Sequence, residues 1–189
     1  MQATKFQVKV YTRAGDIELE KLIPVFHEWI RAKKISDELL IDVADYAHVP
    51  QGPGVVLIGH QSDYYLDVAD NRPGLLYSRK RGFDGDFQAG IDDAFRRALN
   101  ACRLLEEESS LGLEFATDEV LFRVQDRLAA PNEDATYDAY KPALEQAAGA
   151  FFGHAPSLER LGSEREPFAV RISTGAGAGG TVADALARH

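Results

Sequence analysis

The stretch Glu38-Leu39-Leu40-Ile41-Asp42-Val43-Ala44-Asp45-Tyr46, followed after a loop by Val55-Val56-Leu57-Ile58, decides the fold class. Both runs are apolar on two faces, a pattern of strands lying inside a sheet. Between them His48-Val49-Pro50-Gln51-Gly52-Pro53-Gly54 reads as a sharp loop, because proline and glycine punctuate regular structure. Tyr64, Leu66 and Val68 alternate next, Asn71-Arg72-Pro73-Gly74 is a turn, and Leu75 to Lys80 forms a further strand. Strands joined by such short connections pair antiparallel, so residues 38–80 predict a central four-strand meander.

Outward from the meander, Phe6, Val8 and Val10 alternate with Gln7, Lys9 and Tyr11 as a half-buried strand, until Gly15-Asp16 breaks it. Leu19, Leu22, Ile23, Phe26 and Ile30 then recur at helical spacing. Pro24 requires this helix either to start near Ile23 or to kink there. Phe87, Ile91, Phe95, Ala98, Cys102 and Leu105 form the clearest apolar stripe, with Asp84 and Asp86 as N-cap candidates. Leu113–Phe115 and Glu119–Gln125 read as a strand pair around Thr117-Asp118. Tyr137, Tyr140, Leu144 and Phe151 mark a third helix containing Pro142 and capped by Gly153. Short strands near Ser157–Leu161 and Phe168–Ile172 follow.

This interleaving predicts an α+β fold: a mixed, largely antiparallel sheet with about three packed helices. The first strand–helix–strand unit is expected as a right-handed parallel crossover. Phe6–Ile30 and Phe122–Phe151 echo one another as strand, loop and proline-containing helix, which suggests two ferredoxin-like halves.

The 189 residues are 45% hydrophobic and 27% charged, the composition of a folded chain rather than a disordered one. They predict one domain over 1–174, with 175–189 as a flexible Gly/Ala linker and a short tail. The net charge of −9 disfavours phosphate backbones and anionic membranes, so no nucleic-acid or membrane partner is expected. No run approaches the ~18 apolar residues of a membrane span, and residues 1–7 lack the pattern of a secretory signal. A cytoplasmic location is the corresponding expectation. The single cysteine excludes an internal disulfide and a multi-cysteine zinc site, and Cys102 reads as a small buried hydrophobe.

Candidate chemistry centres on Asp42, Asp45, His48, His60 and Asp63. Asp45 with His48, or His60 with Asp63 and Tyr64, would make an acid–base pair in which the carboxylate orients the histidine. The two histidines belong to opposite ends of a strand pair, roughly 20 Å apart at ~3.3 Å per residue, so they cannot share one metal ion. No nucleophile motif occurs, and neither the loop at 51–54 nor the glycines of 175–180 match a phosphate-binding or dinucleotide fingerprint. No metal or cofactor is expected. Arg79-Lys80-Arg81 is the main basic cluster; strand alternation puts Arg79 and Arg81 on one face, where they would grip a small anion. His27 and Trp29 are candidates for a ligand or subunit contact, with Trp29 at the core's margin and needing a partner for its N–H.

In the tail, Val182 and Leu186 are four residues apart and would share one face of a helical turn, with Arg188 beyond them. A linker carrying such a peptide has the form of a tethered docking segment. Through Thr181, Val182, Leu186 and Arg188 it resembles the tails that load cargo into encapsulin shells, although the spacing is longer and alanines replace the usual glycine and serine. That resemblance implies recruitment to a larger assembly through a protein partner for the tail. Three functional readings follow. The first is a non-enzymatic small-molecule-binding or assembly module that self-associates into a homo-oligomer. It rests on abundant aromatics, including Tyr64, Tyr65, Tyr77, Phe151 and Phe152, beside no catalytic signature. The second is a small acid–base enzyme using an Asp/His pair on the meander. The third is a cargo-like protein recruited through its C-terminal tail.

Overall fold

Alternation at Phe6, Val8 and Val10 produces β1 (Phe6–Thr12), which sends these three side chains to one face. The computed structural model describes residues 3–13, 17–49, 52–175 and 180–188. After β1 come α1 (Leu22–Ala32), the meander β2 (Leu40–Tyr46), β3 (Gly54–Gly59), β4 (Ser62–Asp67) and β5 (Gly74–Arg79), and then α2 (Phe87–Glu106). β6 (Phe115–Val124), α3 (Asp134–Phe152), β7 (Ser157–Leu161), β8 (Ala169–Ser173) and α4 (Val182–Leu186) complete the order. The eight strands form one sheet in the order β2-β3-β4-β5-β1-β6-β8-β7. The α+β class and the antiparallel character are as the sequence predicts.

Three details differ. Every strand pair is antiparallel, and β1 and β2 are separated by three strands, so the parallel crossover does not form. β2 is an edge strand rather than an interior one, although its sequence is apolar on both faces. Residues 115–124 make one strand, not two; a register shift between Val10 and Thr12 of β1 accommodates its length. Each half opens with a strand and a proline-containing helix, β1–α1 and β6–α3, and a meander then returns to lie beside the opening strand. The first half returns through four strands and the second through two. Gly15-Asp16, Pro50-Gln51 and the glycines within 176–179 lie outside the described residues.

The register sorts the strand side chains cleanly. Leu57, Tyr64, Tyr77, Val8, Phe122 and Val170 form one continuous cross-strand row, and Val55, Leu66, Leu75, Val10, Val120 and Ile172 form the next. Both rows belong to the core, which also holds the buried faces of all four helices. Each such side chain removed from water contributes about 1.5–3 kcal/mol. Val56, Leu76, Leu121 and Ala169 are also buried but sit on the opposite face, outside this core. There Lys9 and Asp67 form an ion pair of 2.7 Å, both nearly inaccessible. Burial lowers the Lys9 pKa, and Asp67 offsets part of that shift.

Local signals explain the helix ends. Asp86 caps α2 by accepting the Ala89 N–H at 2.7 Å; Asp84 does not serve. Pro24 lies in the first turn of α1, where the missing N–H costs nothing. Gly153 ends α3 with φ of 81°, a left-handed conformation that favours glycine. Cys102 is fully buried in α2, and burial pushes its thiol pKa well up. No helix among the described residues is long and apolar enough to cross a membrane.

The tail is seated on its own domain. Thr181 and Asp184 form a reciprocal capping box at the start of α4. Val182 and Ala185 are buried, Leu186 packs at the core's margin, and Arg188 donates to the carbonyls of Ala150 (2.8 Å) and Phe151 (2.7 Å) at the end of α3. The residues expected to dock the tail onto a partner make these intramolecular contacts instead. Truncation after Gly175 should therefore lower the melting temperature by about 3–10 °C, from the burial of Val182 and the size of the chain. An unchanged Tm by calorimetry would show that α4 contributes nothing to the fold.

Candidate functional site

The start of the edge strand is held by a buried charge network between α2, β4, β5 and the loop before β2. The Asp93 carboxylate of α2 receives three arginines. Arg79 of β5 meets its Oδ2, Arg97 Nε meets Oδ2 at 2.8 Å, and Arg96 Nη2 meets Oδ1 at 2.7 Å. Arg96 and Arg97 also reach Asp37 Oδ2 at 2.9 and 3.0 Å, and Arg97 Nη1 stands 3.8 Å from Glu38 Oε2. Glu38 Oε1 accepts the Gln61 N–H at 2.8 Å, which ties the loop to the β3–β4 turn. Gly59 makes room for this: a Cβ there would stand 2.9 Å from the Glu38 side chain.

Tyr64 and Tyr77 lie beside the network with rings 5.4 Å apart, and Tyr77 Oη is 2.8 Å from Ser62 Oγ. Tyr64 Oη has no hydrogen-bond partner among the described residues; the same holds for Glu38 Oε2, Arg79 Nε and Arg97 Nη1. Burial and the neighbouring Tyr77 push the Tyr64 pKa up, and the nearby Arg97 guanidinium opposes them without closing a hydrogen bond of good geometry. Burial lowers the Arg97 pKa, but Asp93, Tyr64, Tyr77 and Asp37 together outweigh it, so this guanidinium stays charged. Glu38 Oε2 and Arg97 Nη1 still face each other as an ion pair. A buried polar atom left wholly unpartnered costs about 1–3 kcal/mol, and Tyr64 Oη and Arg79 Nε are two in one cluster, a poor design for stability alone.

What the network positions is the β2 edge. Glu38 and Leu40 point inward, each 8% exposed, so Leu39 between them points out at 67%. Ile41 is 54% exposed, at a register shift between Leu40 and Asp42. Tyr46 and Val49 are exposed as well, so four of the five large exposed apolar side chains among the described residues lie within residues 39–49. A groove of about 480 Å³ bounded by Ile30, Lys33, Ile35 and Leu39 adjoins the start of the strand.

The sequence-derived candidates are dispersed. Asp45 is exposed and accepts the Ala47 N–H at 2.9 Å, as a turn former does, and His48 is exposed with no hydrogen bond to it. His60 is exposed at the β3–β4 turn, while Tyr64 is buried among core residues, so that pair is not assembled either. The ladder pairs Leu40 with Gly59 and Tyr46 with Gly54, which puts the two histidines at opposite ends of the strand pair. Arg79 and Arg81 do not share a face. Arg79 is buried against Asp93, whereas Arg81 lies beyond β5, exposed, donating to the His60 carbonyl. His27 is exposed and Trp29 fully buried, so they do not converge on a ligand. The Trp29 N–H has the polar partner its burial requires, Glu108 Oε1 at 3.1 Å.

Sequence reasoning grouped Arg96 and Arg97 with the basic cluster at 79–81 but missed Asp93, Asp37 and Glu38. A signal existed: Asp93, Arg96 and Arg97 stand at i, i+3 and i+4 spacing beside the apolar stripe of α2.

Removing the hub should be costly. Asp93→Ala leaves Arg79 buried without its counter-charge and Arg97 with only Asp37 and Glu38, and should lose about 3–5 kcal/mol in urea unfolding. Asp37 gives a pH signature. Burial raises its pKa, but Arg96 and Arg97 outweigh that and bring it below the ordinary value. A lowered folded-state pKa contributes stability above the unfolded value, about 3.9, that is lost as pH falls through the folded one. Wild type should lose more stability than Asp37→Asn as pH drops below about 4; identical acid limbs would show that Asp37 is not ion-paired in solution. No protein-family model matches the chain, and neither the curated proteins nor the solved structures contain a match to it.

Proposed function

We propose that this protein is a non-enzymatic assembly module that docks an extended segment of another polypeptide along its β2 edge. One observation carries the reading: among the described residues, four of the five exposed large apolar side chains lie on or just beside β2, an edge strand with no neighbouring strand on its outer side. Edge strands of this kind are usually blunted, because they template pairing with other chains. Here the blunting is partial. The register shift at Ile41 bends the start of β2, and Asp42 Oδ1 accepts the Val43 N–H at 2.8 Å. Strand addition at such an edge takes affinity from main-chain hydrogen bonds and selectivity from alternate side chains.

The charge network supports the same reading. Its unsatisfied atoms make it expensive, and it anchors Asp37 and Glu38, the residues immediately before the edge. Local departures from the rules of stable packing are expected near functional surfaces.

An array of extended ten-residue peptides, varied in charge and hydropathy, tests the proposal. Wild type should retain a subset that Ile41→Asp/Val49→Asp does not. Substitutions at exposed positions change stability by only about 0.5 kcal/mol, so the variant should keep the wild-type Tm. Equal retention by the variant would overturn the reading.

A further inference from the structure

From Ile35 to Asn71 the chain contains no lysine or arginine and seven acidic residues. Four of the seven are matched by cations from other elements: Asp37 by Arg96 and Arg97, Glu38 by Arg97, Asp63 by Lys80, and Asp67 by Lys9. Asp42 and Asp45 have no ion pair among the described residues. Each uses only Oδ1, on the backbone N–H of Val43 and Ala47 respectively, and both are exposed. Asp42 stands opposite Ile58 on the face away from the helices, and Asp45 stands opposite Val55 on the helix-covered face. The edge therefore carries one uncompensated carboxylate above the sheet and one below it, three residues apart, between the exposed Ile41 and Tyr46. Lys33 lies at the far end of the groove, before the strand begins.

Resting on the edge-docking reading, we infer that the docked segment is basic and apolar, with two cationic side chains three residues apart on opposite faces of an extended strand. Side chains of a strand alternate faces, so residues at i and i+3 of the incoming segment reach the two sides of the edge as Asp42 and Asp45 do. The apolar residues flanking the two cations cover Ile41 and Tyr46. Opposite charges across neighbouring strands favour such pairing, and like charges oppose it. A second copy of this chain would bring its own Asp42 and Asp45 to the joint, so the edge favours an unlike chain over the homo-oligomer suggested by composition.

The test measures fluorescence anisotropy of the full chain with a labelled peptide, Ser-Val-Lys-Val-Val-Lys-Val-Ser, and two controls in which both lysines become serine or glutamate. The lysine peptide should bind roughly five- to tenfold more tightly than the serine peptide, as two exposed charge pairs allow, with the difference shrinking as salt rises. Asp42→Asn/Asp45→Asn should abolish that preference. Glu114→Gln/Glu164→Gln, which changes the net charge equally at exposed sites elsewhere, should leave it intact. If all three peptides bind alike and Ile41→Asp/Val49→Asp releases them, edge docking stands and the basic specificity falls. If the preference survives in Asp42→Asn/Asp45→Asn, recognition lies elsewhere and the inference is overturned. If none of the three binds, the edge-docking reading fails with it.

Discussion

The antiparallel pairing of β1 with β6 is the constraint from which the remaining architecture follows. Val8 opposite Phe122 and Val10 opposite Val120 place apolar side chains from both halves under α2. Once those two strands lie side by side, each half carries its helix to the same face and its chain out to an edge, from which the meander returns inward. The first strand of each meander, β2 and β7, is therefore an edge of the sheet. The two ends are unequal. β7 has only five residues and exposes Ser157 and Glu159, whereas the seven-residue β2 exposes Ile41 and Tyr46.

Asp93 plays the corresponding part for the polar groups. A helix that packs on a sheet normally offers only apolar residues to it. Here α2 offers a carboxylate that gathers guanidinium groups from its own next turn and from β5, and these in turn hold the loop before β2. Buried charge of this kind stabilises less than apolar packing of similar volume, and breaking it is costly. It holds the loop in one place through direction-dependent contacts, where apolar packing would allow sliding. The orientation of Leu39 and Ile41 depends on that placement.

Much of the architecture was legible in the sequence. Period-two alternation located β1 and β4, an apolar run located β3, the turn at 71–74 located β5, and the stripe from Phe87 to Leu105 located α2, because these signals depend on neighbours in sequence. The position of β2 was not legible, since an apolar run on two faces fits an interior strand and an adhesive edge equally well. Arg79 illustrates the same limit: alternation paired it with Arg81, but β5 ends at Arg79 and its counter-charge lies on a helix whose packing the strand cannot announce. The structure does not bring the candidate acid–base pairs together because proximity in sequence does not fix side-chain direction: Asp45 turns to the backbone of Ala47. The seat of α4 was illegible for a different reason. Nine residues carry too little pattern to show whether Val182 faces solvent or a groove built by α2, α3 and β6.

Cys102 gives the core a chemical clock. It is the chain's only thiol, it is wholly enclosed in α2, and its pKa is raised by burial. A thiol-reactive reagent can modify it only when the packing around α2 opens, since reactivity requires both access and the thiolate. Every modification event in a population of molecules then reports the same opening, without mutation and without a second site to confuse the count. The rate of thiol loss becomes a direct reading of how often the joint between the two halves comes apart, from local fluctuation up to global unfolding.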